Sequence, residues 1–195
     1  MELLRLKTAE IVESAANGDI GSFEQIVLMY QDKVYSLSLK LTGSAQDAED
    51  LAQEVFVKAY RHITSFRGDS DFGTWLHRIA LNTWLNQKRK KQPSMAFSLD
   101  EPIHSDDGEI KREIPDLSQE PEGVFLSLQM SEKLQRAVES LPKDQKATIL
   151  LREVEEYTYE EIARMMDCSV GTVKSRLARA RNALRISFNG YKAQD

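Results

Sequence analysis

The fold is decided by residues 159–182, which read Tyr159-Glu-Glu-Ile-Ala-Arg-Met-Met-Asp-Cys-Ser-Val-Gly-Thr-Val-Lys-Ser-Arg-Leu-Ala-Arg-Ala-Arg-Asn182. The apolar spacing predicts two short helices around a tight turn. Thr158 and Glu161 can form a capping box for the first helix, and Ser169 can cap the second. From residue 174 onward the second helix carries cations and no carboxylate, namely Lys174, Arg176, Arg179, Arg181 and Arg185. These features are typical of a helix-turn-helix whose second helix contacts duplex DNA.

The start of the second helix is the part that is expected to face base edges in a major groove. Lys174 and Ser175 lie there, and Arg179 follows one turn later on the same face. Ala178 shares this face and is small enough to lie against a thymine methyl group. The cations that point more laterally, and so suit phosphates, are Arg176 and Arg181. The alternative is a basic helix face that is simply solvated.

The distribution of charge along the chain divides it into three parts. The formal net charge of the 195 residues is −5, which on its own does not favour a nucleic-acid partner. Residues 1–91 are neutral, residues 92–123 carry −7 and residues 124–195 carry +2. The middle part holds four of the five prolines and has no sustained periodicity. It is therefore predicted to be a flexible acidic linker, which fully extended could reach on the order of 100 Å.

The two flanking parts are each predicted to be helical. In the first, apolar spacing predicts helices over residues 22–42, 46–63 and 72–91, and a further helix is considered at 9–17. Gly43 suits the left-handed position after the first of these. In the second part, helices are expected over 124–140, around Ile149 to Val154 after Pro142 at a helix N1 position, and in the helix-turn-helix, ending near residue 188. The predicted fold is all-α, with helical domains at 1–91 and 124–195 joined by the linker 92–123.

A second candidate site is the loop 66–72 together with the helix after it. Four aromatic residues lie there, namely Phe66, Phe72, Trp75 and Trp84. The cations among them are Arg67, Arg78 and Lys88–Lys91. Rings can stack unpaired bases while cations follow the backbone, so the segment suits single-stranded DNA. An amide such as that of Asn82 can read the edge of an extruded base. The alternative is that both tryptophans are core residues, and Trp75 can combine the two roles with one face packed.

The sequence carries no motif that indicates catalysis or metal binding. It has no Gly-rich phosphate loop, no nucleophile elbow and no recognisable paired-carboxylate motif. His62, His77 and His104 lack the spacing of metal ligands. The single cysteine, Cys168, excludes an internal disulfide framework and fits a reducing cytoplasm. We therefore expect a cytoplasmic protein that is not an enzyme and uses no cofactor or metal.

Three stretches of the sequence resemble parts of a known protein family. Residues 66–83, Phe66-Arg-Gly-Asp-Ser-Asp-Phe-Gly-Thr-Trp-Leu-His-Arg-Ile-Ala-Leu-Asn-Thr83, resemble the promoter-melting region of bacterial RNA polymerase sigma factors. The subgroup is the extracytoplasmic function (ECF) group, sigma-E type. Residues 47–60, Asp47-Ala-Glu-Asp-Leu-Ala-Gln-Glu-Val-Phe-Val-Lys-Ala-Tyr60, resemble its clamp-binding helix, and Leu141-Pro-Lys-Asp-Gln145 through Arg181 resembles its −35-reading domain. The match covers roughly residues 22–91 and 124–188.

The resemblance implies a factor that binds core RNA polymerase and directs promoter-specific initiation. The −35 element would be read as duplex by Thr172, Lys174, Ser175, Arg176, Ala178, Arg179 and Arg181. The −10 element would be read as melted strand by Arg67, Gly68, Asp69, Ser70, Asp71, Phe72, Trp75, Arg78, Asn82 and Lys88. The clamp coiled coil of the largest polymerase subunit would contact Asp47, Asp50, Gln53, Glu54, Phe56 and Lys58. The resemblance also implies contact with the polymerase flap, a linker that threads toward the active-site cleft, and a cognate anti-sigma factor, without membrane insertion.

The turn of the helix-turn-helix departs from the family pattern. Asp167 and Ser169 stand where many members have Gly and Pro, but Asp tolerates the left-handed region and Ser caps helices well. Two other functions stay open on the sequence alone. One is a stand-alone helix-turn-helix regulator with residues 1–91 as a dimerisation or sensor domain, and the other is a protein-interaction module whose basic helix is only a surface.

Overall fold

The computed structural model of the chain describes residues 2–87 and 133–191, with side chains described for 8–87 and 133–187. Both ranges contain helices and no strand, which confirms the predicted all-α fold. The predicted linker, residues 92–123, lies outside the described residues, as do Lys88 and the predicted helix ends at 91 and 124. Within the described ranges, no helix combines the length and the apolar character that crossing a membrane would require.

The first half is a bundle of helices that surround one apolar core. Its elements are α1 (Glu2–Ala16), α2 (Ile20–Thr42), α3 (Ala45–His62), a 3₁₀ turn (Ile63–Ser65) and α4 (Phe72–Gln87). The core consists of fully buried aliphatic side chains from three helices, including Ile26, Leu37 and Leu41 of α2, Leu51 and Val55 of α3, and Leu76 and Leu81 of α4. Burying each such side chain stabilises the fold by about 1.5–3 kcal/mol. These helices hold the loop between Phe66 and α4 at a fixed place on the surface.

Helix ends in the first half follow the local chemistry of the sequence. The N–H of Gly43, at φ 76°, donates to the Leu39 carbonyl at 2.8 Å, which confirms the predicted left-handed stop of α2. Helix α2 begins at Ile20 rather than the predicted residue 22, because Asp19 accepts the N–H groups of Gly21 and Ser22. Helix α1 is longer than the considered 9–17, and it packs on α2 through the buried Val12 and Ala15.

The second half adds further helices, and its buried apolar side chains continue the apolar cluster of the first half. Its elements are α5 (residues 133–140), α6 (Lys143–Glu153), α7 (Tyr159–Met165) and α8 (Val170–Tyr191). Pro142 lies immediately before α6 and so occupies its N-cap position, one residue earlier than predicted. Leu151, Ile162 and Leu177 join α6, α7 and α8 in the core. The second half also contacts the first, because α6 packs against α2 and α4.

Candidate nucleic-acid interface

A capping box fixes the start of the helix-turn-helix. The Thr158 hydroxyl accepts the Glu161 N–H at 3.2 Å, while the Glu161 carboxylate accepts the Thr158 N–H at 2.8 Å. The box predicted from the sequence is thereby confirmed. The bond from the Thr158 N–H is the main reason that the pKa of Glu161 is lowered from its ordinary value.

The turn between α7 and α8 is held by backbone and side-chain hydrogen bonds. Asp167 adopts the left-handed region with φ 49°, where Asp is better tolerated than most residues. The Cys168 N–H donates to the Ala163 carbonyl at 3.0 Å, which closes the end of α7. The Ser169 hydroxyl oxygen accepts the Thr172 N–H at 3.0 Å, which confirms Ser169 as the cap of α8. The turn therefore fixes the direction in which α8 leaves α7.

Helix α8 presents one apolar face to the core and one polar face to solvent. Val173, Leu177 and Ala180 are buried. The opposite face exposes the residues that the sequence predicts to meet base edges, which are Lys174, Ser175, Ala178 and Arg179. The Ser175 hydroxyl donates to the Thr172 carbonyl at 3.0 Å. The spacing of the polar residues on α8 thus places a small hydroxyl, a methyl group and two cations on one accessible face.

Two other cations of α8 are paired with acids of α6. Arg176 lies 2.8 Å from the Asp144 carboxylate, and Arg181 lies 2.7 Å from that of Glu153. The hydrogen bond to Glu153 is the main cause of the raised pKa of Arg181. In this structure Arg176 and Arg181 therefore fasten α8 to α6. Their predicted role as phosphate contacts stays a prediction, as does a DNA contact by Thr172, whose hydroxyl hydrogen-bonds that of Ser169.

An aromatic cluster supports the loop in the first half. The ring centroids of Phe66, Phe72 and Trp75 lie 5.1–5.6 Å apart, and Tyr30 of α2 lies 5.5 Å from Phe72. Phe72 is only 3% exposed, so it forms the base of the cluster. Trp75 is half-buried, as expected of a ring that packs on one face and leaves the other accessible. The cluster gives the loop a rigid apolar floor.

The loop itself is exposed along its length. The exposed residues are Arg67, Gly68, Asp69, Ser70 and Asp71 in the loop, and Arg78 and Asn82 on α4. Gly68 has φ 74°, a conformation that favours glycine. The Asp71 carboxylate accepts the Gly73 N–H at 2.9 Å and so holds the loop against the start of α4.

A cleft of about 550 Å³ opens beneath this loop. It is lined by Thr8, Ala9, Val12, Tyr30, Lys33, Phe66, Gly68, Ser70, Asp71 and Phe72. Its volume falls within the range of roughly 300–1,000 Å³ that is usual for small-ligand pockets. The α1 and α2 residues in this lining were not predicted, because neither helix is close to the loop in sequence. Only the apolar spacing of Ala9, Val12 and Ala15 indicates that α1 packs on the bundle.

The two tryptophans of α4 have different environments. Trp84 is 7% exposed, and the Lys143 ammonium of the second half lies 4.3 Å from its ring centroid. The open alternative that a tryptophan belongs to the core is thus confirmed for Trp84, which packs at the contact between the halves. Trp75 belongs instead to the aromatic cluster that supports the loop.

The predicted polymerase-facing residues lie on α3. Asp47, Asp50 and Gln53 are exposed, and Phe56 is half-buried. Glu54 accepts bonds from two side chains: the Lys58 ammonium lies 2.7 Å away and the Gln87 amide 2.9 Å away. Lys58 also donates to the Thr83 hydroxyl at 3.0 Å. The first turns of α3 therefore form an exposed acidic surface, and the later positions are tied to α4.

Comparison with known proteins agrees with this arrangement. The model for the Sigma-70 region 2 family matches residues 26–93, and that for Sigma-70, region 4 matches residues 131–184. The chain is 43% identical over 177 residues to the ECF RNA polymerase sigma-E factor of Escherichia coli (strain K12), covering 89% of this chain and 90% of that protein. It is 39% identical over 180 residues to the RNA polymerase sigma-H factor of Pseudomonas aeruginosa, covering 90% of each.

Comparison with solved structures also finds a sigma factor. The sigma factor RpoE of Bartonella quintana, determined in complex with the anti-sigma factor NepR, matches with a TM-score of 0.60 and 26% identity, over 87% of this chain and 98% of that one. CnrH, determined with the cytosolic domain of CnrY, matches with a TM-score of 0.61 over 92% and 96% of the two chains, and at 20% identity it supports the fold alone. Sigma factors are transcription initiation factors and not enzymes by themselves. The chain belongs to the ECF group of RNA polymerase sigma factors.

Proposed function

We propose that the chain is a promoter-recognition subunit whose two halves read different forms of DNA. Residues 1–91 would read the −10 element as melted strand, residues 124–195 would read the −35 element as duplex, and residues 92–123 would join them. One observation carries this proposal: each half exposes a separate surface suited to one of these DNA forms. The chain would act in the cytoplasm and would have no catalytic step of its own.

The surface on α8 suits a major groove. Lys174 and Arg179 can contact phosphate or guanine, Ser175 can bond either type of base edge, and Ala178 can lie against a thymine methyl group. These residues are exposed on one face of a helix whose other face is buried. Because the turn before α8 is fixed by hydrogen bonds, the face would be presented without rearrangement.

The surface over the cleft suits an unstacked base. Trp75 can stack on a base, while Arg67 and Arg78 follow the backbone. Asp71 and Asn82 offer groups that can read the hydrogen-bonding edge of an extruded base. The rigid floor formed by Phe66 and Phe72 supports this surface from below. The energy of stacking on Trp75 would offset part of the cost of unpairing the promoter.

The acidic start of α3 suits a protein partner with basic residues. Asp47, Asp50 and Gln53 are exposed there, so they are available to the clamp coiled coil of polymerase. A second partner is suggested by the Bartonella quintana sigma factor, whose structure contains an anti-sigma factor. We propose that a cognate anti-sigma factor restrains this chain as well. Pull-down from lysate should recover a protein that competes with core polymerase, and recovery of polymerase alone would contradict this part.

The function can be tested by run-off transcription with core polymerase and a panel of promoters. Wild-type protein should give promoter-dependent transcripts. Trp75→Ala should lose most activity on duplex promoters and regain it on templates that are melted in advance at −10, because only strand capture is impaired. Arg179→Gln should stay impaired on both templates. Phe23→Ala, which removes a half-buried ring outside the aromatic cluster, serves as the control.

Polymerase binding needs a separate assay. Asp50→Lys should weaken binding of the labelled chain to core polymerase at least tenfold, whereas Glu49→Lys, the same charge change one residue away on α3, should have a smaller effect. Equal effects of the two substitutions would remove Asp50 from the interface. If no promoter gives a transcript while the protein alone binds duplex operators tightly, the stand-alone regulator becomes the better assignment.

A further inference from the structure

The cleft beneath the loop is separate from the surface that carries Trp75. Phe66 and Phe72 line this cleft, whereas Trp75 and Asn82 do not. The centroid of the Phe72 ring lies 5.2 Å from that of Trp75 and 5.5 Å from that of Tyr30, which lines the cleft. A base that is stacked on Trp75 would therefore leave the cleft available to another group nearby.

Helix α1 gives this part of the surface its depth. Thr8, Ala9 and Val12 of α1 line one side of the cleft, and Tyr30 and Lys33 of α2 line another. Val12 is buried against the bundle, which fixes α1 beside the loop. The resulting volume of about 550 Å³ suits one nucleotide better than a longer piece of strand.

The lining of the cleft offers groups that can hold a base. Tyr30 and Phe72 are almost fully buried and form its floor, whereas Phe66 is half-buried and still presents part of its ring. Every base has a flat π-face that can pack against such a ring. Thr8 and Ser70 add hydroxyl groups, which can bond either a donor or an acceptor of a base edge.

The charges that line the cleft suit a nucleotide that brings its own phosphate. Among the ten described residues of the lining, Lys33 is the only cation and Asp71 the only carboxylate. Lys33 is exposed, and its ammonium lies 5.7 Å from the centroid of the Tyr30 ring. A cation–π contact is weak at an exposed site, so this ammonium can still bind a phosphate. It would offset the repulsion between that phosphate and Asp71.

We propose that this cleft binds a second unpaired nucleotide of the promoter strand, with its base beside Phe66 and its phosphate on Lys33. The inference rests on the proposed function, because it concerns the same melted strand whose first base would stack on Trp75. Two bound bases would hold the strand at two points. The melted state would therefore be favoured more strongly than by the contact with Trp75 alone.

The test uses holoenzyme assembled from the full chain and core polymerase. Its ligands are labelled single strands of the −10 element, each of which lacks the base at one position. Loss of a stacked base should weaken binding roughly 5- to 150-fold, and wild-type protein should show two such sensitive positions. Trp75→Ala should make the first position insensitive and leave the second sensitive.

A bulky side chain on α1 tests the cleft itself. Ala9 is an exposed residue of the lining, so Ala9→Trp should fill the cleft from the α1 side. This substitution should make the second position insensitive and leave the first sensitive. Gln25→Trp, which places the same ring at an exposed position of α2 outside the cleft, should change neither position. Thermal melting should show that both variants are folded.

The phosphate contact is tested by the salt dependence of binding. Lys33→Gln should reduce the slope of log affinity against log salt by about 0.7, as expected for the loss of one contact to single-stranded DNA. Lys33→Arg keeps the charge and should keep the slope. Arg61→Gln, which removes an exposed cation of α3 outside the cleft, should also leave the slope unchanged.

Three results would overturn the proposal: a single sensitive position in wild-type protein, equal behaviour of Ala9→Trp and Gln25→Trp, or an unchanged slope for Lys33→Gln. A sensitive position that depends on Trp75 would in each case still support the proposed function. Conversely, if no position depends on Trp75 while Ala9→Trp removes the sensitivity of one position, the cleft binds a base and the proposed role of Trp75 fails.

Discussion

Replacing two arginines of α8 should distinguish a DNA contact from a contact that holds the fold. Arg179 is exposed and makes no ion pair within the described part of the chain. Arg176 is 22% exposed and lies 2.8 Å from the Asp144 carboxylate. Although the two side chains are three residues apart on one helix, their neighbours predict opposite responses to substitution by glutamine.

The magnitudes follow from these environments. A base contact by Arg179 is worth about 1–3 kcal/mol, so Arg179→Gln should weaken binding to the −35 duplex by roughly 5- to 150-fold. As a surface substitution it should change stability by less than about 0.5 kcal/mol. Arg176→Gln removes a partly exposed ion pair worth about 1 kcal/mol or less. In a domain of this size that lowers the melting temperature by up to roughly 4–8 °C.

The assay combines thermal melting with titration of a labelled −35 duplex at several salt concentrations. If Arg179 contacts phosphate rather than a base, the slope of log affinity against log salt should fall by about 0.9 for Arg179→Gln. Arg185→Gln, near the end of α8, controls for general loss of positive charge. The reasoning is refuted if Arg176→Gln keeps its melting temperature and weakens DNA binding as much as Arg179→Gln does.

Three further predictions concern stability. Thr158→Ala should lower the stability of the second half by about 1 kcal/mol through loss of the capping box, measured by urea unfolding against Thr64→Ala at an exposed position. Leu76→Ala should cost about 2–5 kcal/mol because the side chain is fully buried, whereas Leu76→Met should cost less than about 1.5 kcal/mol; similar values for both would contradict tight packing there. Burial lowers the pKa of His77 from its ordinary value of 6.5, so the folded chain favours the neutral ring. This contribution to stability should be fully present above that pH and lost as the pH falls below it. The charged and titratable groups that face His77 are Glu155 and Tyr157 from the second half, Lys33 and Lys40 from α2, and Asp71 from the loop. The urea concentration at the midpoint of unfolding should fall between about pH 8 and pH 5.5, and His77→Asn should reduce that fall.

Most local structure could be predicted from the sequence because its causes are local. The capping box at Thr158, the stop at Gly43 and the cap at Ser169 each depend on atoms within a few residues, and all three are found in the structure. The apolar stripes of α2, α3 and α4 likewise follow from spacing alone. Asp19 was missed as a cap although it precedes a helix, because the apolar pattern begins only at Phe23.

The remaining features depend on contacts between residues far apart in the chain. Nothing near His77 in the sequence indicates that Tyr157 would reach it, and Trp84 gives no sign that Lys143 covers its ring. The same holds for Arg176, whose ion pair with Asp144 could not be read from the sequence, while its role as a phosphate contact stays a prediction. Periodicity shows which face of a helix is buried, but it does not show what lies against that face.

The position of α1 has a consequence for exchanging promoter-reading segments between related proteins. The region 2 match begins at residue 26, yet Thr8, Ala9 and Val12 form one wall of the cleft under the loop. A hybrid protein joined at residue 26 would receive the aromatic cluster and the loop 66–72 of its donor. It would not receive the α1 residues that line the other side of the cleft. Such hybrids should have the base preference of their donor only when α1 is transferred together with the segment that follows it.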